Sequence, residues 1–205
     1  MDRKYFLTGI GTSVGKTIVA AALTKLWDAS YWKPIQSGDL DNTDSMTVRQ
    51  LLGDQVRIFP ERYKLITPAS PHYAASLDGI AMKVADFQLP SPAGNLIVEG
   101  AGGLHVPINE DELIIDLIEH LSLETIIVCS DYLGSINHSL LSFEGLANRG
   151  IPVAYIVLNG NFNESTRGIL TARKPPEAEI ITIPHLTSVD AFGLQHALQE
   201  LKIEH

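Results

Sequence analysis

Residues 4–26 read KYFLTGIGTSVGKTIVAAALTKL. The first five, KYFLT, form a short apolar run of the kind a buried strand uses, and from Lys16 onward Ile18, Val19, Ala22, Leu23 and Leu26 recur at helical spacing through Asp28. Between them lie Gly9, Gly11 and Gly15. A glycine-rich turn from a strand into a helix leaves the first N–H groups of that helix unpaired and aligned with its dipole, which is an anion site. The strict phosphate-loop spacing G-x-x-x-x-G-K-[ST] is not met, because Gly9 leaves five residues before Gly15 and Gly11 leaves three. The physical needs survive the mismatch. Gly11, Thr12, Ser13, Val14 and Gly15 would wrap phosphate with backbone N–H groups, Lys16 would reach the β- and γ-phosphates, and the Thr17 hydroxyl would bind magnesium. The alternative is an ordinary strand-to-helix turn with a chance Gly-Lys-Thr.

Beyond this stretch the chain continues as an alternation of short β-branched runs and longer amphipathic segments, the pattern of a mostly parallel sheet with helices on both faces. The strand candidates are 4–8, 30–33, 95–100, 125–130, 153–159 and 179–184; the helices after the first are placed at 45–52, 114–121, 135–148 and 188–201. Residues 53–92 are proline-rich with no regular period and read as an insertion of loops and short helices. The chain of 205 residues suits one α/β domain spanning 1–205. A net charge of −9 argues against a nucleic-acid partner and against docking on an anionic membrane through a basic patch. Cys129 is the single cysteine, so no intramolecular disulfide and no multi-cysteine metal site exists. With no signal-like or membrane-spanning run, the reading is a cytoplasmic, soluble protein.

In open α/β sheets ligands lie beyond the carboxyl ends of the strands. Lys33, in YWKPIQSGD, ends the second strand and points at the same crevice as the loop; alone it would read as a surface lysine. Glu99 closes the apolar strand of LIVEGAGG, where a carboxylate is costly unless it meets a metal or a donor, and a solvated turn is the alternative. Gly102 and Gly103 permit close backbone approach to a ligand. Asp44 is placed to join Thr17 and Glu99 as an oxygen ligand to magnesium, although it also stands where a helix cap belongs. The segment Gly134–Asn137 forms a further strand-to-helix turn, with Ser135 as a cap, and His138 reads as a structural hydrogen-bonding residue. Asn159 and Pro184–Leu186 end two further strands, where an amide suits a base edge or simply a turn.

Taken in order, TGIGTSVGKT, KPIQSG, NTD, TPASPHYAA, VEGAGG, LGSINH, LNGN and IPHL resemble the dethiobiotin synthetases, over nearly the whole chain. The displaced first glycine is the form that family uses. The resemblance implies a phosphate-loop NTPase-like fold and an ATP-dependent ligase that joins 7,8-diaminononanoate and CO2 or bicarbonate into the ureido ring of dethiobiotin. It implies a carbamate that attacks the γ-phosphate, a carbamic-phosphoric anhydride, and release of ADP and phosphate. It further implies catalytic roles for Lys16, Lys33 and Thr12, and magnesium on Thr17, Asp44 and Glu99. Nucleotide contacts would come from residues 11–17, Asn159, Pro184, His185 and Leu186. Substrate contacts would come from Ser37, Gly102, Gly103, Gly134, Ser135 and Asn137, completed across a homodimer.

Three departures from the family pattern stand out: Gly11 and Ser13 replace the usual acidic loop residues, the Lys33–Asp44 link is short, and no tyrosine occurs from Asn161 to Ala172. Relatives place a cross-subunit substrate contact in that last stretch, leaving Arg167 as the candidate here. The rival reading is a partition-type ATPase switch. Such switches carry a second lysine within the loop, where this chain has Ile10.

Overall fold

The computed structural model describes residues 2–91 and 94–204. Pro92, the last residue of the expected insertion, and the terminal residues of the 1–205 span lie outside them. The elements run β1 (Lys4–Gly9), α1 (Lys16–Leu26), β2 (Ser30–Trp32), β3 (Ile35–Ser37), α2 (Asp44–Leu52), β4 (Ile58–Phe59), β5 (Tyr63–Leu65) and α3 (Pro71–Asp78). After a 3-10 turn at Val84–Asp86 come β6 (Leu96–Glu99), α4 (Ile114–Leu121), β7 (Glu124–Ser130), α5 (Ser135–Asn148), β8 (Val153–Asn159), α6 (Glu164–Arg173), β9 (Glu179–Ile183), α7 (Ala191–Glu200) and β10 (Lys202–Glu204).

Eight strands form one sheet in the order β10-β9-β8-β7-β1-β6-β2-β4, and β3 pairs with β5 in a separate ribbon. Every pairing in the main sheet is parallel except β9 with β10. The chain leaves β1 toward β2 on one side and later crosses from β6 to β7 on the other. Right-handed crossovers then put α1 and α2 on one face and α4, α5 and α6 on the opposite one. The contacts of α7 with α1 and α2, and of α5 with α6, agree with that division. Phe6, Leu7, Val98, Ile126, Ile127, Val128 and Ile156–Leu158 are fully buried between the two helix layers, which explains why the central strands are apolar almost throughout. The reversal of winding at β1 opens a crevice at its carboxyl end, and the loop 9–15 lies there.

Several boundaries differ from the sequence reading. Helix α1 stops at Leu26 because Trp27 turns to pack on Tyr5 and Tyr155, with ring centroids 5.4 and 5.2 Å away, and Asp28 adopts a left-handed φ of 48°. Helix α7 begins at Ala191, after Asp190 accepts a hydrogen bond from the Gly193 N–H. Residues 53–91 hold β4, β5, α3 and the 3-10 turn, so the expected short helices are joined by two short strands. In α2 the cap is Thr43, whose Oγ1 accepts from the Met46 N–H at 3.1 Å, and not Asp44. Asp44 is thereby free to turn into the crevice. Thr43→Ala should destabilise the protein by about 1 kcal/mol, the usual worth of a lost N-cap. Denaturant unfolding checks this.

Candidate functional site

The loop is held open by backbone geometry. Gly15 has φ 85°, and a Cβ there would lie 2.1 Å from Asn159 Nδ2, which donates to the Val14 carbonyl at 2.9 Å. The residue at the end of β8 thus clamps the loop from outside, and only glycine fits beneath the clamp. Lys16 is 8% exposed, and its Nζ donates to the Gly11 carbonyl at 2.8 Å. Burial, with Lys33 nearby, pulls its pKa down to about 8 against the opposing pull of Glu99 and Asp44. A cation held so loosely in the free protein is stabilised when an anion arrives. The sign follows: affinity for ATP should be flat below pH 8 and fall about tenfold per pH unit above it, until the raised pKa of the complex is reached. Calorimetric titration from pH 7 to 9.5 checks this; Lys16→Arg should shift the break upward.

Behind the loop lies a compact charged network. Lys33 Nζ is 2.5 Å from Asp44 Oδ2 and 3.0 Å from Glu99 Oε1, and it donates to the Gly100 carbonyl at 3.1 Å. Thr17 Oγ1 lies 2.9 Å from Asp44 Oδ1 and 3.0 Å from Glu99 Oε1, so its one hydrogen serves one carboxylate at a time. The Tyr31 hydroxyl donates to Glu99 Oε2 at 2.7 Å. Lys33 is 4% exposed and Glu99 1%, which sets aside both the surface-lysine and the solvated-turn alternatives. Burial opposes the Lys33 charge, but Glu99 and Asp44 outweigh it and hold its pKa above the ordinary lysine value. Burial likewise opposes ionisation of Asp44, yet Lys33 and Thr17 bring its pKa below normal. Glu99 goes the other way, because burial and the neighbouring Asp44 outweigh its donors and raise its pKa.

Lys16, Thr17, Lys33, Asp44 and Glu99 line a cleft of about 730 Å3 together with Thr12, Ser13, Ser37, Gln36, Gly102 and the Pro68–Pro71 loop of the insertion, with Tyr31 buried behind it. Ser37 Oγ is buried there with no hydrogen-bond partner. Other cavities exist; one of about 600 Å3, beside Tyr5 and Tyr155, lies at the amino ends of the strands, away from the side where ligands bind such sheets.

The remaining expected residues are not among those that line the cleft. Gly103 backs it, since a Cβ there would come within 3.2 Å of the Gly9 carbonyl. Gly134, not Ser135, caps α5, with φ 101°; Ser135 is buried as the first helical residue, while Asn137 is exposed and outside the cleft. Asn159 joins the loop, and His185 packs on Gly160 beside it, where a glycine Cβ would come 2.5 Å from Nε2. Pro184 and Leu186 are half-buried next to it. His138 Nδ1 pairs with the Tyr132 hydroxyl at 2.8 Å. Arg167 spends its guanidinium on Glu204 and Thr182. Two members of the network escape a reading of the sequence: Tyr31, which looks like any strand aromatic, and Gln36. Gln36 Oε1 accepts from the Asp44 N–H at 3.1 Å and its Nε2 donates to the Gly38 carbonyl at 3.0 Å, fixing the start of α2 over the loop.

A parallel sheet wound in both directions about β1, with a glycine loop, a buried lysine and two carboxylates at the reversal point, defines a nucleotide-dependent protein of the phosphate-loop class. The profile of the AAA domain family matches residues 3–193. The chain is 46% identical to the ATP-dependent dethiobiotin synthetase BioD of Christiangramia forsetii, over 83% of this chain and 82% of that one. It is 48% identical to the protein of the same name from Cytophaga hutchinsonii, over 82% of both. With that of Rhodopseudomonas palustris strain BisB18 the identity is 40% over 97% of this chain and 95% of the relative. The chain belongs to the ATP-dependent dethiobiotin synthetase family. Among solved structures it resembles a putative plasmid partition protein of Borrelia burgdorferi bound to AMPPNP, with a TM-score of 0.56 at 9% identity, covering 98% of this chain and 99% of that one. It also resembles the septum site-determining protein MinD of Pyrococcus horikoshii complexed with Mg-ADP, at 0.53 and 11%, covering 96% and 95%. Those two likenesses concern the fold.

Proposed function

We propose that this protein is an ATP-dependent dethiobiotin synthetase, a carbon–nitrogen ring-forming ligase acting on 7,8-diaminononanoate, CO2 or bicarbonate, and ATP. The observation that carries the reading is the convergence of Lys16, Lys33, Thr17, Asp44 and Glu99 on one cleft at the loop, in a chain 40% identical to a relative of that name over 97% of its length. The diamine first becomes a carbamate, whose oxygen attacks the γ-phosphate; the second amine closes the ring and expels phosphate. Both reacting partners are anions, so attack needs fixed positive charge and exclusion of water. Lys16 and the loop N–H groups hold the triphosphate, and Lys33 faces the carbamate. Thr12 orients the phosphate, and the unpaired Ser37 hydroxyl offers a donor to the substrate.

Asp44, Glu99 and Thr17 suit magnesium. That ion takes one or two protein carboxylates and completes its shell with phosphate oxygens and water, and the three residues already bring oxygens to one point. Bound there it neutralises charge on the phosphates. No group of three or more His, Cys, Asp or Glu suited to a metal occurs among the described residues.

In this reading 1–205 is a single domain, the adenine lies by Asn159 and Pro184–Leu186, and a homodimer brings Gly134, Ser135 and Asn137 to the substrate with Gly102 and Gly103. Support for the dimer comes from Leu133 and Leu141, exposed apolar side chains flanking that turn. No helix among the described residues is long and apolar enough to cross a membrane, and a cytoplasmic location is proposed with the rest. The test is ADP release with each component omitted in turn. Release should require diamine, bicarbonate and ATP together; release from ATP alone at the full rate would favour a switch.

A further inference from the structure

The carboxylate of Glu99 is divided between two tasks. Its Oε1 faces the cleft, within 3.0 Å of Thr17 Oγ1 and Lys33 Nζ, while its Oε2 points back into the sheet and accepts the Tyr31 hydroxyl at 2.7 Å. Tyr31 is fully buried on β2, the neighbour of the strand that carries Glu99. Its ring cannot swing away without opening the core, and no solvent reaches the hydroxyl to replace the carboxylate as its partner. The glutamate is therefore fixed in rotation about its terminal torsion, which is otherwise soft. One oxygen is presented to the cleft and the other is withheld.

We propose that Tyr31 is a specificity-determining positioning residue: by holding Glu99 Oε2 it confines Glu99 to single-oxygen coordination and so selects a small octahedral divalent cation over calcium. This rests on the assignment of Thr17, Asp44 and Glu99 as the metal ligands. Magnesium keeps about six oxygens at about 2.0–2.1 Å and accepts carboxylates through one oxygen, whereas calcium prefers about six to eight at longer distances and commonly takes a glutamate through both. A glutamate that cannot offer its second oxygen denies calcium its favoured mode and costs magnesium nothing. The other carboxylate, Asp44, has both oxygens turned toward Thr17 and Lys33, so the discrimination falls on Glu99.

The experiment is competition against Mn2+, followed by the free-ion electron paramagnetic resonance signal, on full-length protein in excess over a non-hydrolysable ATP analogue. Mg2+ and Ca2+ are each titrated to displace bound Mn2+ from wild type, Tyr31→Phe and Asp44→Asn. The expected wild-type result is displacement by Mg2+ at concentrations at least about tenfold below those of Ca2+, and in Tyr31→Phe this ratio should fall about tenfold through gain of Ca2+ binding. A hydroxyl that merely satisfies a buried carboxylate predicts otherwise: a lower melting temperature, weaker binding of both ions, and an unchanged ratio. That outcome overturns the proposal. Should Tyr31→Phe not fold, the wild-type ratio decides, since equal displacement by the two ions contradicts a site that withholds an oxygen. Mn2+ held by the protein–analogue complex no more tightly than by the analogue alone, or held as tightly after Asp44→Asn, overturns the metal assignment itself and this inference with it.

Discussion

Lys16→Ala is expected to lower kcat/KM by about a hundred- to a thousandfold and to leave a folded protein of undiminished stability. In the proposed reaction the loss follows from removing a cation aimed at the transferring phosphate, where a single preorganised donor is worth about a hundred- to a thousandfold. The unchanged stability follows from the lysine's own electrostatics. A folded-state pKa brought down to about 8 means that the fold disfavours the charged side chain relative to the unfolded chain, at every pH below that value. Its removal relieves that penalty as it removes the packing of the stem. Steady-state kinetics with a melting curve checks both halves, and near-normal turnover would take Lys16 out of its role.

Lys33→Ala should behave differently. Here the cation is held by its neighbours, with a pKa raised through Glu99 and Asp44, so its loss leaves two carboxylates facing each other in the cleft. Breaking a buried pair on one side costs about 3–5 kcal/mol, and a lower melting temperature is expected. In catalysis kcat should fall by about a hundredfold or more, while the dissociation constant for ATP changes by less than about tenfold, because in the proposed reaction the triphosphate is held chiefly by the loop and Lys16. Binding by calorimetry and turnover by ADP release separate the two. A kcat equal to wild type would make Lys33 a structural counter-ion only.

The contrast between the two lysines bears on what could be read from the sequence. Residues 4–26 disclose the strand, loop and helix because the periodicity changes from strand to helix around three glycines, and the apolar runs of β6, β7, β8 and β9 follow from burial on both faces. Lys33 and Glu99 stand out because each closes an apolar run, and Asp44 because it stands where a helix cap belongs. Helix α6 did not, since only Thr166 and Leu170 are buried on it and its stripe is too thin to detect. Strand β10 is exposed at all three positions and exists by pairing with β9 at the sheet edge. Tyr31 was hidden for another reason: its register beside β6, with Tyr31 opposite Ile97, is what aims its hydroxyl at Glu99, and register across 66 residues of chain is not written in local pattern. Helix capping by Thr43 in place of Asp44 turned on a one-residue shift that composition alone leaves open.

The Ile10 position and the identities with dethiobiotin synthetases separate a ligase from a nucleotide switch built on the same fold. The most direct test incubates the purified protein with 7,8-diaminononanoate, magnesium, ATP and 13C-bicarbonate and follows the products by mass spectrometry. The expected product is dethiobiotin carrying one labelled carbon, formed in equal amounts with ADP. Hydrolysis of ATP by folded protein without labelled dethiobiotin would contradict it.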